Sequence, residues 1–166
     1  MHITRYTDYS LRVLIYLAVQ GDQLATIQEI ADSYDISKNH LMKVVHQLNK
    51  KGYIETIRGK KGGMRLLMAP EEIRVGVLVR ETEQDLSIVE CFSSKNACRI
   101  SPVCGLKSMF GEALEAFLGV LDNYSLADVI QDQHRPQLLR LLQLADSDAP
   151  KQSAPAEQRA SLASIG

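Results

Sequence analysis

Cys91, Cys98 and Cys104 are the only thiols of the chain, and they fall within fourteen positions, with six and then five residues between them. Scattered core cysteines would not gather in this way. Thiolates are soft ligands for zinc, copper(I) and iron-sulfur clusters. Structural zinc is normally held by cysteine pairs roughly two to four residues apart, and neither gap matches. Wider loops suit a larger object, an iron-sulfur cluster whose irons lie apart and whose thiolates wrap around it. Three thiolates leave one iron for a ligand that is not cysteine. A zinc or thiol-disulfide switch and inert cysteines stay open as alternatives. A cysteine-nucleophile enzyme fits less well, because no histidine lies near these residues in the sequence and nothing marks an oxyanion site.

A second constellation is electrostatic. Residues 36–68 carry Lys38, Lys43, Lys50, Lys51, Arg58, Lys60, Lys61 and Arg65 against the single acid Glu55, a net of +7. The formal total is −1, so the rest of the chain carries −8. Charge separated so sharply is the footprint of a surface that meets a polyanion.

The elements that must position these groups can be read from periodicity and caps. Thr7 is expected to open a first helix with Asp8 in its first turn and Leu11, Leu14, Ile15 and Ala18 on one face, ended by Gly21-Asp22. Thr26 and Glu29 have capping-box spacing for a second helix burying Ile27, Ile30, Ala31 and Tyr34. Ser37 is the expected N-cap of a third, with Leu41, Val44, Val45 and Leu48 inward and Lys38, Asn39, Lys43, Gln47 and Lys50 outward. Two helices joined by a tight turn, the second cationic and amide-rich on its free face, make a helix-turn-helix. Residues 53–58 and 64–68 are β-prone and flank Gly59-Lys60-Lys61-Gly62-Gly63, a hairpin with a cationic tip. The order is that of a winged helix. A nucleotide-binding loop is disfavoured, since the spacing GxxxxGK[ST] is absent and the run lies between strands.

Residues 70–83 read as a further helix, with Ile73, Val77 and Leu78 apolar, and residues 84–100 as a loop. Ser101-Pro102 should start a long helix whose Leu106, Phe110, Ala113, Phe117, Val120 and Tyr124 form a strict seam. That seam calls for a partner helix, either the same helix of a second subunit or its own domain. Shorter helices are expected over residues 125–131 and 136–144. The expected fold class is mainly α with a small β-wing. It divides into a winged helix-turn-helix over residues 1–83, a cysteine loop over 84–100, a dimerisation helix with C-terminal helices over 101–145, and a disordered tail over 146–166. With 166 residues, 45% hydrophobic and no apolar run near the length of a membrane span, a cytoplasmic protein without membrane association is expected.

Thr7-Asp8-Tyr9, Ser37-Lys38-Asn39-His40-Leu41, Arg58-Gly59-Lys60-Lys61-Gly62-Gly63, the three cysteines, and Leu121-Asp122-Asn123-Tyr124-Ser125-Leu126-Ala127-Asp128 together resemble the Rrf family of winged-helix iron-sulfur regulators, over roughly residues 1 to 131. The resemblance implies a homodimer on double-stranded DNA with a palindromic operator, each cysteine loop holding one cluster near the partner's first helix. It places Thr26, Ser37, Lys38, Asn39, His40, Lys43, Gln47, Arg58, Lys60, Lys61, Gly62, Gly63 and Arg65 as candidate DNA contacts. In the iron-sulfur-biogenesis branch a histidine three residues after the third cysteine is the fourth ligand, but Lys107 stands there. In the nitric-oxide-sensing branch the fourth ligand is an aspartate early in the first helix of the other subunit, and Asp8 matches it. The implied function is a transcriptional repressor, not an enzyme, that senses nitric oxide; an iron-sulfur status sensor of the same family is the alternative. The cluster is expected to be 4Fe-4S ahead of 2Fe-2S.

Overall fold

The chain was analysed as a computed structural model that describes residues 2–93 and 95–144. Its elements are α1 (Arg5–Gln20), α2 (Ile27–Tyr34), α3 (Lys38–Lys50), β1 (Ile54–Ile57), β2 (Gly63–Leu66), α4 (Val75–Thr82), α5 (Leu106–Asp122), α6 (Leu126–Val129) and α7 (Arg135–Leu141). A 3-10 turn, Glu90–Phe92, interrupts the segment between α4 and α5. The mainly helical class with one small antiparallel sheet is the expected one. The tail beyond Leu144 lies outside the described residues.

Helix α1 begins two residues before Thr7. The Thr4 side chain accepts the Thr7 backbone N–H, whereas the Thr7 hydroxyl is buried and donates to Thr82 Oγ1 at 2.9 Å. A residue whose hydroxyl is claimed by another helix cannot cap its own, so the cap falls to Thr4. The buried face is also wider than one stripe. Val13, Leu14, Tyr16, Leu17, Ala18 and Val19 are all buried, while Leu11 and Ile15 are only partly covered. The cause is topological, because α1 packs against α3, α4, α6, α7 and β2 and so is the axis of the core.

The capping box of α2 forms as expected, with Thr26 accepting the Glu29 N–H and Glu29 accepting the Thr26 N–H. In α3, Leu41, Val44, Val45 and Leu48 are buried, which sets the opposite face toward solvent. Burying each such side chain contributes about 1.5–3 kcal/mol, so the orientation of α3 is strongly determined. The hairpin pairs Ile54 with Leu66, Glu55 with Arg65, Thr56 with Met64 and Ile57 with Gly63. Ala25, just before α2, adds a bridge to Met64 through backbone hydrogen bonds of 2.9 and 2.7 Å. The wing is thereby anchored to the helix-turn-helix.

The expected helix over residues 70–83 is shorter. Residues 70–74 form a turn and a bridge between Arg74 and Ser125, and α4 buries Gly76, Leu78, Val79 and Thr82 but exposes Val77. The close partner of α4 is the end of α5. A Cβ on Gly76 would collide with the Asp122 carboxylate and lie 2.8 Å from the Asp122 backbone nitrogen. Arg80 grips the same carboxylate, Nη2 donating to Oδ2 at 2.7 Å, and this bond holds the Asp122 carboxyl below the usual carboxylate range. Gly76→Ala should therefore lower stability by about 1–3 kcal/mol, as overpacking does. Urea melts would detect it, and an unchanged midpoint would mean that α4 and α5 can separate without cost.

The long helix does not start at Ser101-Pro102. Ser101 Oγ accepts from the Asn96 side-chain amide at 2.9 Å and caps nothing, and α5 begins at Leu106. Of its residues only Leu118 is buried. Leu106, Phe110, Val120 and Tyr124 are exposed, Val120 to 56%, and Phe117 is half-buried, so most of the expected seam is left uncovered by its own domain. No helix among the described residues is long and apolar enough to cross a membrane.

Candidate metal centre and nucleic-acid interface

The three cysteines occupy one surface segment between α4 and α5. Cys91 lies in the 3-10 turn and is half-buried, Cys98 is exposed, and Cys104 is half-buried two positions before α5; none is in a disulfide. The segment is pinned by polar contacts rather than by a core. Glu90 Oε1 accepts the Ala97 N–H at 2.9 Å, and Asn96 Oδ1 accepts the Cys98 N–H at 3.0 Å. Cys104 lines an open groove of about 800 Å³ with Phe92, Ser101, Lys107, Ser108 and Gly111.

Among the described residues no three His, Cys, Asp or Glu side chains converge to hold a metal. The donor set nevertheless fits an iron-sulfur cluster in its chemistry. It consists of three unpaired thiols on one segment with few buried contacts, and such a segment can close around a ligand at low cost. Cys104 stands two positions before the start of α5. Asp8 sits elsewhere, in the first turn of α1, where Arg12 holds it with Nη2 to Oδ2 at 2.9 Å and Nε donating to Oδ1 at 3.1 Å. Both side chains remain more than a third exposed, so the pair is weak and open to exchange.

The cationic surface is assembled by α3 and the wing. Lys38, Asn39, His40, Lys43 and Gln47 are exposed on the free face of α3. Ser37 precedes the helix as expected but makes no side-chain cap bond, which leaves its hydroxyl free for another partner. Thr26 is exposed, with its hydroxyl engaged in the capping box. Arg58, Lys60 and Lys61 ring the wing tip without an ion-pair partner among the described residues, whereas Arg65 pairs with Glu55 across the hairpin. Gly62 has a structural duty in the tip, since a Cβ there would collide with the Ile57 carbonyl. Lys60→Ala should flatten the log-log salt dependence of DNA binding by about one unit. Arg65→Ala should flatten it less, its charge being already answered by Glu55. Equal slopes in both variants and the unmutated protein would remove the wing tip from the electrostatic contact.

Sequence reasoning missed a flank of this surface. Arg5, Tyr6 and Tyr9 of α1 line a groove with His40, Lys43 and Val44 of α3, and the Tyr9 and His40 rings lie 6.4 Å apart. Met42 is also exposed on α3. The cation Arg5 was visible in the sequence, but only the packing of α1 on α3 sets it beside Lys43.

A helix-turn-helix with a paired, cation-tipped hairpin defines a winged-helix DNA-binding protein, here with a thiol-bearing segment appended. The chain matches the family model described as Rrf2, iron-dependent transcriptional regulator, over residues 3–132. It belongs to the Rrf2 family, a family of transcriptional regulators and not of enzymes. It is 57% identical over 135 residues to the HTH-type transcriptional regulator NsrR of Bacillus licheniformis, covering 80% of this chain and 94% of that one. To the regulator of the same name from Bacillus subtilis it is 53% identical over 148 residues, covering 88% of this chain and 100% of the relative. Among solved structures, CymR, the global cysteine regulator of B. subtilis, superposes with a TM-score of 0.63 at 25% identity, covering 78% of this chain and 95% of that one.

Proposed function

We propose that the chain is a homodimeric transcriptional repressor that binds a palindromic operator in the cytoplasm and releases it when nitric oxide attacks an iron-sulfur cluster. One cluster per subunit would be held by Cys91, Cys98 and Cys104, with Asp8 of the other subunit as the fourth ligand. The observation that carries the reading is the set of three unpaired thiols on one segment, in a chain identical at more than half of the aligned positions to regulators named NsrR. When bound, the cluster supplies iron sites that react with nitric oxide.

The chain's own residues do the rest. The exposed seam of α5 gives a second copy a helix to pack on, and a twofold dimer presents two α3 helices to two half-sites of DNA. Lys38, Asn39, Lys43 and Gln47 meet base edges and phosphates, and the wing cations meet the backbone beside them. Asp8 reaches the partner through an exposed carboxylate, and Arg12 receives that carboxylate whenever it is not a ligand. Because α1 packs directly on α3, a pull on Asp8 is a pull on the DNA-reading helix.

Oxygen-free reconstitution with iron and sulfide tests the proposal. It should give visible charge-transfer absorption and acid-labile sulfide in step with iron, and nitric oxide should then weaken DNA binding. A colourless protein that still responds to nitric oxide would point instead to a thiol-disulfide or zinc switch. Asp8→Ala should load a cluster on three thiols with an altered spectrum and a blunted nitric oxide response; a spectrum and response equal to those of the unmutated protein would return Asp8 to the role of a helix-start acid, worth about 0.3–1 kcal/mol.

A further inference from the structure

Helix α4 ends in Glu81, Thr82 and Glu83; Glu81 ties down the end of α3 and the start of the wing, and Thr82 and Glu83 tie down the start of α1. Glu81 Oε2 accepts from the Tyr53 hydroxyl at 3.1 Å and lies 3.3 Å from Lys51 Nζ. Thr82 Oγ1 accepts the Thr7 hydroxyl and in turn donates to the Leu78 carbonyl at 2.7 Å. Glu83 Oε1 accepts both the backbone N–H and the hydroxyl of Thr4, at 2.8 and 3.0 Å. Glu83 is also the C-cap of α4, where the chain departs toward Cys91 eight positions later.

Tyr53 is the residue through which α3 and the wing meet. Its N–H donates to Leu48 O at the end of α3 at 3.0 Å, and its carbonyl accepts the Leu67 N–H beyond β2 at 3.0 Å. Its ring is buried, so the hydroxyl is its polar outlet, and that outlet is Glu81. Burial and the neighbouring Glu81 charge push the phenol up to about 12, so it remains a donor well into the alkaline range. Lys51 is the C-cap of α3. A turn of α4 that moves therefore carries Tyr53 and Lys51 with it, and with them the register of the recognition helix and wing.

We propose that Glu81 is a positioning residue that passes the state of the cysteine segment to the recognition helix and wing of its own subunit, through the Tyr53 hydroxyl and the Lys51 ammonium. It rests on the cluster-dependent DNA release proposed above. It adds to that release a route inside one subunit, distinct from the pull on Asp8 across the dimer. Packed elements of this kind have discrete arrangements and transmit small shifts as steps.

The experiment is amide hydrogen exchange on the full chain, with and without reconstituted cluster, for the unmutated protein, Glu81→Gln and Tyr53→Phe. The two variants keep shape and remove only charge or one hydroxyl. Each is paired with binding to a duplex selected from a random pool by the cluster-loaded unmutated protein. Loading the unmutated protein should change exchange over residues 84–104 and also over residues 41–57. In either variant the change over residues 84–104 should persist while that over residues 41–57 shrinks. The ratio of loaded to unloaded DNA affinity should fall roughly two- to thirtyfold. A residue with only a packing role would leave that ratio unmoved. Variants that retain the full change over residues 41–57 and the full ratio overturn the inference while leaving the function standing. An unmutated protein that takes up iron and sulfide yet changes neither exchange over residues 41–57 nor DNA affinity overturns both.

Discussion

Cys98→Ala should take up no stable cluster and should lose cluster-dependent DNA binding, yet remain a folded dimer. The thiol is exposed, and the local backbone is held by Asn96 Oδ1 accepting the Cys98 N–H and by the Cys98 backbone carbonyl accepting the Ser101 N–H, neither of which involves the Cys98 side chain. Surface substitutions of this kind usually move stability by no more than about 0.5 kcal/mol. Two remaining thiols and a distant carboxylate are too few to hold such an assembly, which relies chiefly on its thiolates. If the loaded form is the one that reads the operator, affinity should drop to the non-specific level, a loss of about a thousandfold or more. Iron and sulfide content, sedimentation and DNA titration read the three parts separately. A Cys98→Ala protein that sediments as an unfolded or monomeric chain would make the cluster a folding staple instead.

The second large effect is expected on the α5 seam. Phe110→Glu combined with Val120→Glu should yield a folded monomer with DNA affinity lower by about two to four orders of magnitude, the amount by which a second tethered site raises binding. Both positions are exposed within one subunit, so the charges disturb little of its own core, to which α5 contributes Leu118 as its buried residue. Charged side chains in a seam that must exclude water, by contrast, would be desolvated without partners and would prevent pairing. Sedimentation equilibrium and titration against one and two half-sites decide the matter. A dimer surviving both substitutions would place the twofold axis on another surface.

Much of the DNA-reading half was legible before any coordinates, because its signals are local. The Thr26–Glu29 capping box, the period of Leu41, Val44, Val45 and Leu48, and the glycines around Lys60 and Lys61 each work within a few residues. The isolated cationic stretch and the gathered thiols were equally plain, since charge and ligand chemistry belong to residue types and survive any fold. Where local signals competed with distant partners, they failed. Ser101-Pro102 has the composition of a helix start, but the Ser101 oxygen is taken by Asn96, and the helix waits for Leu106.

What the sequence by itself determined is therefore the kind of protein this is: short amphipathic helices, a basic hairpin and three thiols within reach of one another, all set by neighbours a few positions away. What only the tertiary structure decided is which groups answer each other across the chain. Thr7 serves Thr82 across seventy-five positions and so cedes its cap to Thr4; Arg65 is neutralised by Glu55 while Lys60 has no ion-pair partner among the described residues; Glu81 meets Tyr53 at the root of the cysteine segment. The reason is that hydrogen bonds and ion pairs form between whatever donors and acceptors the packed core brings within about 3 Å. The core is set by apolar burial, which is blind to the identity of the polar groups that it carries together.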